Sequence, residues 1–111
     1  MTERTGDALR DLIASTLDFY DRFGVQPTLD GATNVFHEEV AEFIEAAQAG
    51  TDHDHTAEEA ADVLVTVIGL CKAAGVDTER LIQQVYAVIA KNDAKTHETH
   101  VYMDGKIRRR S

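Results

Sequence analysis

Four acidic residues stand at spacings that pair them on helix faces: Glu39 with Glu42, and Glu59 with Asp62. Residues three apart on an α-helix are neighbours, so each pair offers two carboxylates pointing the same way. At about 100° per residue, both pairs fall beside the apolar stripe of their segment, at the edge of a core and not opposite it. Packing two such helices together converges four anions in a partly dry place. There they raise one another's proton affinity unless a divalent cation neutralises them. All-oxygen ligation without a Cys or His pair favours a hard ion, Mg²⁺ first and Mn²⁺ second. The competing account is a solvated acidic flank, because Glu is abundant in helices and spacing alone does not separate the two.

Other chemistry-bearing residues point less sharply. His53 and His55, two apart in the polar stretch TDHDH, read as solvent-exposed loop residues or, with further ligands, as part of a transition-metal site. The Glu-x-x-His pair of a di-iron bundle is absent around Glu38, Glu42 and Glu59. Phe19, Tyr20, Phe23, Phe36, Tyr86 and Tyr102 are the available rings, most of them expected in the core, with Phe36 and Tyr102 the better placed to stack on a flat ligand. Cys71, the only cysteine, has apolar neighbours and reads as a small buried residue.

The elements that must position the acids follow from periodicity. Leu9, Leu12, Ile13, Thr16, Leu17, Tyr20 and Phe23 repeat at helical spacing after the capping candidates Thr5, Gly6 and Asp7, and Gly24 ends that helix. VQPTLDGAT reads as a loop leading to a second helix from about Thr33, and this linker is placed to fold over a ligand. In the second helix Phe36, Val40, Phe43, Ile44 and Ala47 form the apolar stripe, and Gly50 stops it. Thr56 and Glu59 have the form of a capping box opening a third helix. Its VLVTVIGLC run is apolar on nearly every side, as a helix inside a bundle or subunit contact requires. Gly75 closes it, Asp77 or Thr78 caps a fourth helix, and Leu81, Ile82, Val85, Val88 and Ile89 carry that helix to about Lys95. VYMDGKIRRRS reads as a turn and a basic tail over about 103–111. Lys106, Arg108, Arg109 and Arg110 are either a phosphate clamp or a disordered solubilising end.

With 111 residues and one proline, Pro27, the chain is expected to form a single all-α domain, 1–111. Four helices with short connections predict a small four-helix bundle-like fold whose core is completed by homo-oligomerisation, because a domain of this size buries only about two-thirds of its surface. The net charge of -9 argues against nucleic acid as the main partner. It leaves room for a compact nucleotide, whose phosphates meet a locally reversed field at an acid-held metal. MTERTGDALRD lacks the apolar core of a signal peptide, and the longest apolar run, Val63 to Cys71, is too short to span a bilayer. A cytoplasmic location without membrane contact is expected.

HEEVAEFIEAA, then EEAADVLVTVIGLCKAAGVDTERLI, then KNDAK and YMDGK together resemble the MazG and phosphoribosyl-ATP pyrophosphohydrolase-like superfamily of all-α nucleotide pyrophosphohydrolases. The likeness runs from LRDLIASTLDFYDRFG onward. The family pattern Glu-Glu-x-x-Glu, a short spacer and Glu-x-x-Asp appears in full. The resemblance implies that Glu39, Glu42, Glu59 and Asp62 coordinate Mg²⁺ and that water attacks the α-phosphorus of a nucleoside triphosphate, releasing monophosphate and pyrophosphate. A nearby carboxylate accepts the proton; Glu38, one turn before Glu42, is the candidate, though its angle also suits an exposed position. Similar proteins carry Asn-x-x-Lys near the end of the fourth helix, matched by Asn92 and Lys95 with Lys91 beside them. These imply phosphate or nucleoside contacts, against the plainer role of lysines at a helix C-terminus. NVFHEE stands where the phosphoribosyl-ATP enzyme of histidine biosynthesis typically has Lys-Lys-Val-Gly-Glu-Glu. The resemblance therefore implies a house-cleaning or pool-controlling enzyme, a homodimer or homotetramer acting on a canonical or damaged deoxynucleoside triphosphate. A second class is a catalytically silent helical oligomer that binds nucleotides or a protein partner.

Overall fold

A computed structural model describes residues 3–111. Four helices, α1 (Ala8–Arg22), α2 (Leu29–Ala49), α3 (His53–Ala73) and α4 (Thr78–Asp93), are followed by strands β1 (His100–Met103) and β2 (Lys106–Arg109). The chain divides into two compact units, one ending at Thr78 and the other running from Glu79 to Ser111.

In the first unit, α3 packs against both α1 and α2, and its pairing with α2 is the most extensive between helices. Contact on two sides explains why the VLVTVIGLC segment is apolar nearly all round: Thr66, Ile68 and Gly69 are buried within it. Ile13 and Thr16 of α1 and Ala46 of α2 are also buried. An isoleucine so placed contributes about 1.5–3 kcal/mol through lost apolar exposure. On α2 the half-buried and buried positions are Ala32, Thr33, Phe36, Glu39, Val40, Phe43 and Ala46, whereas Ile44 is 48% exposed and Ala47 is exposed. Phe36, Val40 and Phe43 of the expected stripe lie on the packing face, Ile44 and Ala47 do not, and Glu39 lies within that face.

Two helix starts differ from expectation. α2 begins at Leu29, because Thr28 is its N-cap and accepts from the Gly31 N–H at 3.1 Å. Most of the expected loop is thus the first helical turn. α3 begins at His53, because Asp52 accepts from the His55 N–H at 3.1 Å. The histidines of TDHDH therefore belong to the helix. Thr56 is inside α3, and its hydroxyl is within donating reach of Asp52 O (3.1 Å) and Ala46 O (3.3 Å). This contact ties the end of α2 to the start of α3. Gly50 closes α2 at φ 63°, a left-handed conformation that glycine adopts without steric cost.

In the second unit, α4 buries Ile82. The expected turn and basic tail are an antiparallel hairpin, with Met103 opposite Lys106 and His100 opposite Arg109. Asp104 and Gly105 both have positive φ, 54° and 78°, as a two-residue hairpin turn of primed type requires. Arg110 N–H extends the pairing to Thr99 O, and the Arg110 side chain donates from Nε to His97 O at 2.7 Å. Arg108 Nε donates to Met103 O. Two of the basic side chains are thus held by backbone carbonyls. Among the described residues, no helix is long and apolar enough to cross a membrane.

Candidate active site

Glu39 and Glu42 lie in the middle of α2, Glu59 and Asp62 in the first half of α3, and the pairing of these helices brings the acids to one place. One ligand oxygen from each of Glu39, Glu42 and Glu59 lies within 4.8 Å of the others. Asp62 belongs to the same electrostatic cluster. The Glu39 carboxyl is pushed above the usual carboxylate range by burial first, then by the charge of Glu42, of Asp62, a hydrogen bond with Glu42, and the charge of Glu59. Glu39 Oε2 and Glu59 Oε2 are buried without a hydrogen-bond partner. A buried acceptor left unpaired carries its desolvation cost uncompensated, more so when ionised. An all-oxygen donor set with two orphaned oxygens fits a hard divalent cation of the Mg²⁺ kind. Glu38 is exposed on α2 and is not among the converging ligand atoms.

A second group shares Glu59. His55 Nδ1 stands 3.6 Å from Glu58 Oε1 and His55 Nε2 3.7 Å from Glu59 Oε1, each an ion pair when the imidazole is protonated. The spacing His55-x-x-x-Glu59 could have signalled this contact, but only with the helix start at His53 known.

Glu39 and Asp62 also line a cavity of about 570 Å³ inside the first unit. Phe19 and Tyr20 of α1, Val25, Gln26 and Pro27 of the connection, Ala32 and Val35 of α2, and Val65, Thr66 and Gly69 of α3 form its other walls. Its acidic end is the cluster and its remainder is largely apolar. Thr28 and Gly31, the capping pair of α2, also border it, so the short linker does flank the cavity. Phe36 is half-buried and does not line it.

In the second unit, Lys95 Nζ donates to Asn92 Oδ1 at 2.9 Å. Both line a cavity of about 460 Å³ with Thr96, His97, His100, Val101, Tyr102 and Ile107. No Asp or Glu lines it, in a chain holding 20 of them. His100 is held below the ordinary imidazole value by burial, then by the charges of Lys95 and Arg109. Lys91 is exposed on α4 and is not among the residues lining this cavity. His100, Val101, Tyr102 and Ile107 of the hairpin line the cavity, and only the Asp104-Gly105 turn signals that hairpin in the sequence.

A scan of protein-family models matches phosphoribosyl-ATP pyrophosphohydrolase over residues 26–87. The match takes in both acidic pairs and more than half of the 111 residues. The chain belongs to this family, whose members are pyrophosphohydrolases acting on phosphoric anhydride bonds. Comparison with curated proteins and with solved structures found no significant match.

Proposed function

We propose that the chain is a Mg²⁺-dependent nucleoside triphosphate pyrophosphohydrolase. It converts a canonical or damaged (deoxy)nucleoside triphosphate to monophosphate and pyrophosphate, in nucleotide-pool house-cleaning, and works as a homodimer or homotetramer. The observation that carries this reading is the junction of the acidic cluster, with its two orphaned carboxylate oxygens, and an apolar cavity that shares Glu39 and Asp62. That junction matches a nucleotide, which is anionic at the phosphate end and flat and mostly apolar at the base.

Glu39, Glu42, Glu59 and Asp62 are the residues that would hold the cation. A bound Mg²⁺ supplies positive charge for phosphoryl oxygens and acidifies an attacking water. The apolar walls hold the nucleoside and keep bulk water from the reacting end, which strengthens the electrostatics there. Glu38, one turn before Glu42, is proposed to accept the proton from water. Lys91, Asn92 and Lys95 are proposed phosphate or nucleoside contacts. Support for Lys95 is its ammonium, fixed by Asn92 in a cavity without carboxylates.

The test is a panel of triphosphates, with phosphoribosyl-ATP included, incubated with Mg²⁺ while monophosphate and pyrophosphate are separated from orthophosphate. One member should yield pyrophosphate in step with monophosphate. Glu39→Gln should lower kcat/KM at least 100-fold with the fold intact, and Glu38→Gln should lower kcat more than it raises KM. A fully active Glu39→Gln variant would refute the assignment of the site.

A further inference from the structure

Tyr20 of α1 and Gly69 of α3 fit together at the end of the cavity that lies, along α3, two turns beyond Asp62. At 1.5 Å per residue that is about 10 Å, on the scale of a nucleoside. Gly69 is buried, and a Cβ placed there would collide with the Tyr20 hydroxyl, whereas the ring atoms Cζ and Cε2 would lie at 3.4 and 3.7 Å. The phenol therefore rests on bare helix backbone, and only its oxygen forbids a side chain at 69.

That oxygen has spare hydrogen-bonding capacity. Thr28 Oγ1 already accepts from the Gly31 N–H, and the Thr66 hydroxyl donates to Val63 O at 2.7 Å. Among the described residues the Tyr20 hydroxyl has no hydrogen-bond partner, and unlike Glu39 Oε2 and Glu59 Oε2 it is not a fully buried orphan. A phenol both donates and accepts. Placed among apolar walls, it is suited to the polar edge of a flat heterocycle. A site that hydrogen-bonds its substrate rejects an analogue without that group far more strongly than an apolar pocket rejects a change in size.

We propose that Tyr20, seated on Gly69, determines which nucleobase the cavity accepts: the hydroxyl pairs with the polar edge of the base, and the missing side chain at Gly69 gives the phenol its place. This assignment rests on the hydrolase reading of the acidic site. Tyr20 is a specificity-determining residue here, and Gly69 acts through it.

The test compares wild type, Gly69→Ala, Tyr20→Phe and the double variant, with kcat and KM for triphosphates carrying each of the common bases, Mn²⁺ affinity by calorimetry, and thermal melts. Tyr20→Phe should compress the preference for the best over the worst base at least tenfold, mainly through KM, with Mn²⁺ affinity unchanged. Gly69→Ala should lower kcat/KM for the best base at least tenfold. The double variant, which lacks the colliding oxygen, should match Tyr20→Phe alone in kcat, KM and base ranking, with no further loss from Gly69→Ala. An unchanged ranking in Tyr20→Phe overturns the proposal, as does a double variant that falls below Tyr20→Phe by the full Gly69→Ala loss. A wild type inactive on the whole panel removes the hydrolase reading itself and this assignment with it.

Discussion

Glu39 concentrates the tension of the site. Its carboxyl is buried against three other acids and held above its ordinary value near 4.5, so the metal-free fold binds that proton more tightly than the unfolded chain does. The sign follows: stability without metal falls as pH rises from about 4.5 through the raised value, and acidification across that window restores it. The melting temperature of metal-free protein should therefore climb as pH is lowered from neutral toward the ordinary Glu value, and Glu39→Gln should flatten the climb. Asp11 works in the opposite sense and lower down. Its carboxylate, held below 3.8 chiefly by the Thr5 N–H and then the Thr5 hydroxyl, loses its contribution as pH falls below that value. With Glu39 as a proposed ligand, magnesium and protons compete for it, so calorimetric Mg²⁺ affinity should weaken over the same window that stabilises the metal-free chain. The acidic pairs were legible in sequence because three-residue spacing is a direct statement about a helix face. The fit of Tyr20 on Gly69 was not, because it depends on how α1 lies across α3.

Helix cores were easier to read than helix ends. The periodicity of α1, α3 and α4 announced each of them, but the starts of α2 and α3 were displaced toward later residues. At α2, Gly31 suggested a break, yet a glycine in the first turn leaves the Thr28 cap intact. At α3 the Thr56–Glu59 pattern masked the earlier cap at Asp52, because the apolar repeat begins only at Ala60. Asp52→Ala should cost about 1 kcal/mol in urea unfolding, the usual value of a lost cap. Thr56→Val should lower Mn²⁺ affinity severalfold in calorimetry without removing a ligand, since Thr56 ties the end of α2 to the start of α3. The Asp104-Gly105 turn was a readable hairpin signal, overridden by the run of arginines that suggested a free tail.

Among the described residues the buried apolar core is small: Ile13, Ala46, Ile68 and Ile82. Val35, Ile44 and Leu64 in the first unit and Tyr86, Val88 and Ile89 in the second are each at least 46% exposed. Surface of this kind is characteristic of chains that associate. Sedimentation at micromolar concentration should show a dimer or tetramer, and the pair Ile44→Glu, Leu64→Glu should shift it toward monomer. The expectation of self-association rests in sequence on α3 being too apolar for a lone amphipathic helix, and packing against α1 and α2 accounts for part of that apolarity.

The two unpaired carboxylate oxygens of Glu39 and Glu59 carry one more consequence. A cation that satisfies them binds the native chain and not the unfolded one, adding about 2.7 kcal/mol at a hundred times its dissociation constant. On the proposed metal site, the survival of this chain against proteolysis becomes a gauge of the free divalent ion around it, and chelation should shorten the lifetime of the polypeptide as well as silence the proposed chemistry.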